Sequence, residues 1–302
     1  MTQHENATAS REPSGSAGIR LALCQVGTEP WDVDGNAERT VAALEEAAAG
    51  GASLAITPEV VFQGYPSHAS PEDRARLRAI AEPVDGPLLT RVRDVAARTG
   101  IDAVVGFAEL AADGATIHNS CAYVTGDGSV RAIYRKVHCR PFEDAAREGL
   151  YAAGDRFVVV DHTARGASCR VGLFICFDRE IPESTRCLRA LGAELIACPL
   201  ATDTCRLDEP GPRVDNEMLT RSRAAENEVS IAVVNHAWRF NGGSFLVGPA
   251  GEVLVQLDDQ PQVYVIDVPV DRVRREFRSD PLGWAGWGHR RPEVYRRYLD
   301  RP

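Results

Sequence analysis

Three segments of the chain each place a reactive side chain directly after an apolar run that is typical of a β-strand. The first reactive residue is Glu59, which is followed by the apolar side chains Val60, Val61 and Phe62. Apolar neighbours disfavour the charged form of a carboxylate, so they raise its pKa toward the range of a general base. A glutamate at the entry to a turn or a helix is the alternative interpretation.

The second reactive residue is Lys136, at the end of the strand-like run 130–136. In a closed site, its ammonium group would supply a fixed positive charge for an oxyanion. A solvent-exposed lysine is the alternative. His138 and Cys139 follow and are metal-binding residue types, but no second ligand pair has suitable spacing, so we expect no metal site.

The third reactive residue is Cys176, which ends another apolar run and precedes a predicted helix by a few residues. The positive end of a helix dipole lowers the pKa of a thiol and favours the thiolate nucleophile. The backbone N–H of Phe177 is then a candidate oxyanion donor. A buried structural cysteine is the alternative, but the polar cluster Asp178, Arg179 and Glu183 directly after an apolar strand favours the nucleophile.

Alternating strands and helices must bring these residues together. Residues 19–27 alternate as a strand, 36–49 have helical periodicity and stop at Gly50-Gly51, and 53–59 form a second strand. This order predicts a β-α-β unit with a parallel strand pair. The remaining pattern predicts helices near 72–81, 87–98, 181–193 and 214–227. It predicts strands near 101–109, 117–125, 130–136, 157–161, 169–176, 194–200 and 229–236, followed by a hairpin over 244–257.

These elements predict a single α/β domain with helices covering both sheet faces. The hairpins, such as the one that turns at 126–129, argue against a purely parallel sheet. No G-x-G-x-x-G follows the first strand, so the sequence indicates no dinucleotide site.

Composition narrows the class of partner. The chain has 302 residues, 44% apolar and 25% charged, with a net charge of −9. An acidic balance argues against nucleic acid and anionic membrane surfaces as partners. No apolar run reaches the length of a membrane helix, and the polar residues 1–18 are predicted to be a disordered tail rather than a secretory signal. None of the eight cysteines forms a C-x-x-C pair. Apart from Cys176, the seven others are expected to be buried free thiols in a reducing cytoplasm.

The segments PEVVFQGYP, YRKVHC and GLFICFDREIPE, in this order, resemble the Glu, Lys and Cys blocks of the nitrilase superfamily. The resemblance extends over roughly residues 19–297. It implies a four-layer-forming αββα sandwich, with Glu59 as the base, Lys136 as the oxyanion partner and Cys176 as the nucleophile. The implied domains are the tail 1–18, a carbon–nitrogen hydrolase domain over 19–280 and an interface segment over 281–302.

Many members of this superfamily use a further glutamate in the loop between the lysine and the cysteine, where it orients the substrate and supports the lysine. In the loop 141–155, Glu148 matches this residue best by its distance to Gly154-Asp155, and Glu143 is the second candidate. A solvated loop carboxylate is the alternative for either residue.

The resemblance implies a covalent cycle that needs no metal or organic cofactor. Cys176 would attack a small amide to form a thioester, and water would release the acid. Acyl transfer to an amine and a catalytically silent scaffold are the rival functions, although a scaffold has no physical need for all three reactive residues. The family further implies a homodimer or a higher homo-oligomer built through the helix after Cys176 and the helix near 214–227.

The residues after the nucleophile bear on the bond that is cut. Nitrilases in the strict sense usually follow the cysteine with Trp-Glu, whereas Cys176-Phe177-Asp178 resembles amidase and carbamoylase branches. Arg179 occupies the place where amino-acid carbamoylases hold the substrate carboxylate, a task that suits a guanidinium. Their second adjacent arginine is replaced by Glu180. We therefore rank simple amides above N-carbamoyl amino acids or carbamoyl-amines as substrates, with nitriles behind both.

Overall fold

The computed structural model describes residues 18–66, 69–202 and 215–299. The tail expected over 1–18 therefore lies almost wholly outside the described residues. Within the described ranges, no helix is both long enough and apolar enough to cross a membrane.

Two six-stranded mixed sheets face each other, and helices cover their outer faces. The first sheet has the strand order β12-β1-β2-β3-β4-β5, and the second has the order β11-β10-β9-β8-β7-β6. The strands are β1 (Arg20–Gln25), β2 (Leu54–Ile56), β3 (Asp102–Leu110), β4 (Ile117–Val124), β5 (Val130–Arg135), β6 (Val158–Ala164), β7 (Ala167–Leu173), β8 (Leu195–Pro199), β9 (Ser230–Val234), β10 (Phe245–Val247), β11 (Val253–Gln256) and β12 (Gln262–Asp267).

Helices connect several of these strands along the chain. They are α1 (Val33–Ala49), α2 (Pro71–Ile80), α3 (Pro87–Thr99), α4 (Pro182–Ala190), α5 (Asn216–Asn227), the single turn α6 (Val270–Arg272) and α7 (Pro292–Leu299). Several ends follow from local chemistry. Ser70 and Asp73 form a reciprocal capping box at the start of α2, and Gly100 ends α3 with a φ of 74°, in the left-handed region that glycine tolerates.

Alternation along each strand divides the core into layers. In β1, Leu21 and Leu23 pack between the two sheets against residues of the second sheet such as Leu195. Ala22 and Cys24 point the other way, toward the side of the first sheet that α1 and α3 cover. Strand β2 pairs parallel with β1 and β3, and β8 pairs parallel with β7 and β9, so the carboxyl ends of these strands lie at one edge of each sheet.

This αββα architecture confirms the predicted fold class. The predicted β-α-β unit and the hairpin over 244–257 are both present. Strand β12 is an addition to the predicted elements. It pairs antiparallel with β1 at the sheet edge, which joins residues far apart in sequence.

Candidate active site

Glu59 lies three residues beyond the end of β2 in the first sheet and is fully buried. Its backbone N–H donates to the Leu200 carbonyl at 3.3 Å, just beyond β8 of the second sheet. Its carboxylate Oε1 accepts from Lys136 Nζ at 2.8 Å and from Asn119 Nδ2 at 2.7 Å. Oε2 is buried and has no hydrogen-bond partner in the described parts of the chain.

Lys136 follows β5 and has no exposed surface, so its charge depends on its neighbours. Its backbone N–H donates to the Asn119 carbonyl at 2.8 Å, which continues the strand pairing by one residue. Its Nζ contacts both oxygens of Glu143 at 2.9 Å, in addition to Glu59. Burial alone would lower the pKa of Lys136, but the two carboxylates hold it well above its usual value, so the amine stays protonated.

Cys176 is the first residue of a short 3₁₀ helix over Cys176–Glu180 that follows β7. It is 3% exposed, and its Sγ lies 4.0 Å from the Ala201 carbonyl. Its φ of 46° places a non-glycine residue in the left-handed region, a strained conformation of the kind that clusters at active sites. The backbone N–H of Phe177 belongs to the first helical turn, where N–H groups lack intrahelical acceptors.

The environment of Cys176 corrects the expected thiolate. Burial raises the pKa of the thiol, Glu59 raises it further, and Lys136 and Arg140 lower it by less. Loss of water around a buried sulfur disfavours the charged form of the thiol. The thiol therefore keeps its proton at neutral pH.

Glu143, and not Glu148, contacts the lysine. Glu143 is fully buried, and its carboxylate also accepts from the Tyr65 hydroxyl at 2.7 Å and from the Arg140 backbone N–H at 2.9 Å. Burial would raise the pKa of Glu143, but Lys136 and these hydrogen bonds hold it below its usual value. Glu148 is exposed, at the end of a 3₁₀ turn with a φ of 63°.

The preference for Glu148 from the sequence was therefore wrong about which side chain lies at the lysine. The turn from Arg140 to Asp144 folds the chain back, so that Glu143 meets Lys136 only seven residues away. That short separation was the available signal. Matching Glu148 by its distance to Gly154-Asp155 ignored the geometry of the turn.

Asp178 connects the segment around Cys176 to the segment after Lys136. It is buried and accepts hydrogen bonds from the Tyr134 hydroxyl at 2.7 Å, from the His138 backbone N–H at 2.8 Å and from the Ile175 N–H at 3.1 Å. The His138 ring nitrogen Nδ1 also lies 2.8 Å from this carboxylate. His138 thus serves the connection between the two segments.

Arg179 is buried but does not join the cluster of Glu59, Lys136 and Glu143. Its Nη2 donates to Asn216 at the start of α5, while Nε and Nη1 have no hydrogen-bond partner among the described residues. Arg140, which the sequence did not single out, lies with its guanidinium 5.0 Å from the Phe177 ring centroid and forms an ion pair with Glu180 at 2.6 Å.

Asn119 and Tyr65 are the other members of the cluster that sequence reasoning missed. Asn119 lies inside β4 and is fully buried, and Tyr65 follows the Glu59 loop. Their hydrogen bonds to Glu59 and Glu143 cross between elements. No local pattern marks either residue, although a buried asparagine within an apolar strand requires a partner.

Comparison with known proteins identifies the family of the chain. Residues 20–276 match the carbon-nitrogen hydrolase family. An (R)-stereoselective amidase of Pseudomonas sp. is 30% identical over 86% of this chain and 89% of its own. An N-carbamoylputrescine amidase of Arabidopsis thaliana is 26% identical over 88% and 90%.

A solved structure shows the fold of a relative and an adduct at its active-site cysteine. It is a variant of the amidase from Nesterenkonia sp. AN1, with acrylamide added at its active-site cysteine. It superposes with a TM-score of 0.72 at 27% identity, over 93% of this chain and all of that one.

The chain belongs to the carbon–nitrogen hydrolase family, within the nitrilase superfamily. It is a cysteine-dependent hydrolase of amide C–N bonds.

Proposed function

We propose that Cys176 is the nucleophile, Glu59 the general base and Lys136 the oxyanion partner in the hydrolysis of a small amide. The observation that carries this assignment is the buried carboxylate of Glu59. Oε1 is held by Lys136 and Asn119, while Oε2 has no partner in the described chain and is available for a proton. Burial raises the pKa of Glu59 above its usual value despite Lys136, which suits a group that both takes and returns a proton.

Acylation begins from the neutral thiol. Glu59 accepts the proton of Cys176 as the sulfur bonds to the amide carbon, and the carbonyl π electrons move to oxygen. Lys136 Nζ lies 2.9 Å from both Glu143 oxygens, so one of its three N–H groups can be shared between them. With a second N–H on Glu59, the third can donate to this oxyanion, together with the Phe177 N–H. The C–N bond then breaks, and Glu59 returns the proton to the departing ammonia or amine.

Deacylation repeats these steps with water. Glu59 removes a proton from water as its oxygen attacks the thioester carbon, and the C–S bond breaks. The acid leaves, and the proton returns to the Cys176 sulfur. Every proton and electron pair is accounted for by the side chains and water, so the cycle needs no metal or organic cofactor.

We propose that Glu143 keeps Lys136 charged and in place throughout this cycle. The Glu143 carboxylate accepts hydrogen bonds from Lys136 Nζ, the Tyr65 hydroxyl and the Arg140 backbone N–H. The lowered pKa of Glu143 keeps this carboxylate ionised. A constant negative charge on this side of the ammonium allows Glu59 to change its protonation state without releasing the lysine.

The side chains of Glu180, Arg140 and Arg179 bear on the substrate class. We favour a simple amide, because Glu180 replaces the second carbamoylase arginine and forms an ion pair with Arg140. N-carbamoyl amino acids and carbamoyl-amines remain the alternative, supported by the unpartnered Nε and Nη1 of Arg179 within the described chain. Acyl transfer uses the same thioester and differs only in the acceptor.

The deciding experiment presents one acyl skeleton as an amide, as an N-carbamoyl derivative and as a nitrile, and measures ammonia release. We expect the amide to react fastest. Fastest turnover of the nitrile would overturn the bond assignment, and faster turnover of the carbamoyl compound would move this chain to that branch. Addition of hydroxylamine separates hydrolysis from acyl transfer, because a transferase would form the hydroxamate.

We further propose a homodimer, or a higher homo-oligomer, in the cytoplasm. Free thiols fit a reducing compartment, and the seven described cysteines are all unpaired; five are buried, Cys139 is half-buried and Cys187 is exposed. The interface would include α4, α5 and the segment after residue 280. There Trp284 is 85% exposed, whereas Trp287 packs on its own chain, 4.4 Å from the Arg189 guanidinium.

A further inference from the structure

His236 lies two residues beyond β9 and contacts the backbone of the proposed base. It is fully buried, and its Nε2 lies 2.8 Å from the Glu59 carbonyl oxygen. The mechanism above does not use this residue, and the sequence did not single it out.

The contacts of His236 define which ring nitrogen carries the proton. A carbonyl oxygen only accepts hydrogen bonds, so Nε2 must be the N–H donor to Glu59. In the neutral ring, Nδ1 is then an acceptor. The Thr28 hydroxyl lies 2.6 Å from Nδ1 and is almost fully buried, so it is placed to donate.

The carbonyl that His236 holds belongs to a strained peptide. The next residue, Val60, has a φ of 47° and is fully buried. A β-branched residue in the left-handed region is a real outlier and persists only where the surroundings impose it. The hydrogen bond from His236 opposes rotation of the Glu59–Val60 peptide, which would move the Glu59 carboxylate.

This contact also joins the two sheets at the site. Glu59 extends from the first sheet, whereas Cys176 and His236 extend from the second. Both backbone groups of Glu59 form hydrogen bonds with residues that follow strands of the second sheet. Its N–H donates to the Leu200 carbonyl, and its carbonyl accepts from His236. The base is thereby held relative to the nucleophile by bonds that cross between the sheets.

We propose that His236 is a positioning residue that keeps Glu59 aligned with Cys176, and that Thr28 sets the tautomer of His236 that does so. The proposal rests on the assignment of Glu59 as the base. It concerns the transition state more than substrate binding, because a misplaced base slows proton transfer without removing any contact to the substrate.

The test compares two matched pairs of variants in the full-length enzyme. Thr28→Val removes the donor to Nδ1 and keeps the shape, while Thr28→Ser retains the hydroxyl. His236→Leu removes the N–H donor, while His236→Gln retains an amide N–H near the position of Nε2. For each variant we would measure kcat per alkylatable Cys176, KM, the pH profile of kcat and the melting temperature.

We expect Thr28→Val and His236→Leu to lower kcat by at least about tenfold with KM within about twofold, and the two hydroxyl- or amide-retaining variants to recover most of the loss. A purely structural role would lower the melting temperature and leave kcat per folded site within about twofold, which would overturn the proposal. An increase in KM at unchanged kcat would also overturn it. If His236→Leu does not fold, the Thr28 pair decides. An active Glu59→Gln enzyme would instead contradict the proposed function itself.

Discussion

Glu59 and Glu143 contact the same Lys136 ammonium, at 2.8 Å and 2.9 Å, yet their pKa values move in opposite directions. Glu143 has two further donors, the Tyr65 hydroxyl and the Arg140 N–H, and its pKa falls. Besides Lys136, only Asn119 donates to Oε1 of Glu59, and Oε2 has no partner in the described chain. Burial therefore raises the pKa of Glu59. One carboxylate is thus suited to remain charged and the other to carry a proton.

Replacement of the proposed nucleophile should abolish turnover without unfolding the protein. Cys176→Ala is a small change at a buried position, so we expect a loss of several orders of magnitude in ammonia release with a preserved circular dichroism spectrum. Cys187→Ala, at an exposed cysteine, is the control and should keep parental activity. More than about a tenth of parental activity in Cys176→Ala would refute the assignment.

The two loop glutamates provide a matched pair. Glu143→Gln should lower kcat strongly, at least about a hundredfold, because Lys136 loses a charged partner that positions it. Glu148→Gln, at an exposed residue outside the hydrogen-bonded cluster, should stay within about twofold of the parent enzyme. Steady-state assays at saturating amide check both. The reverse order of effects would restore Glu148 as the supporting residue.

The pH profile should report the coupling between the carboxylates. The charge of Glu143 raises the pKa of Glu59, and the base is active only when deprotonated. In Glu143→Gln that contribution is lost, so the pKa of Glu59 falls and the acid limb of kcat/KM should move to lower pH. Residual activity is measured across the acid range against Glu148→Gln. An acid limb that stays in place would mean that it does not report Glu59.

Arg179 can be tested for a role in holding a substrate carboxylate. If its unpartnered Nε and Nη1 bind such a group, Arg179→Ala should raise KM for acidic amides or N-carbamoyl amino acids and spare neutral amides. Arg179→Lys keeps the charge without the planar fork and should recover only part of the affinity. Equal effects on neutral and acidic substrates, together with a lower melting temperature, would assign Arg179 to the packing of α5 through Asn216.

The proposed assembly predicts a dimer at micromolar concentration by light scattering. Trp284→Ser should shift the equilibrium toward the monomer and leave the protomer folded, because this side chain is 85% exposed. Tyr264→Thr, at an exposed aromatic on the edge strand β12, is the control and should leave the mass unchanged. A parent enzyme that is monomeric under these conditions would contradict the assembly.

Local patterns in the sequence determined the elements and the three reactive residues. Alternating apolar residues and glycine- or proline-marked ends predicted most strands and helices, since these depend on neighbours within a few residues. Glu59, Lys136 and Cys176 could be selected because each follows an apolar strand. The family resemblance then supplied their proposed roles and the αββα architecture. The structure confirms the architecture.

Only the tertiary structure decided which groups surround those three residues. The turn after Lys136 brings Glu143 to the ammonium and leaves Glu148 in solvent, and burial raises the pKa of the Cys176 thiol. The contact from His236 to Glu59 spans 177 residues of sequence and crosses between the sheets. Such contacts depend on how the sheets pack and on where water is excluded, and neither property is written in the local pattern of side chains.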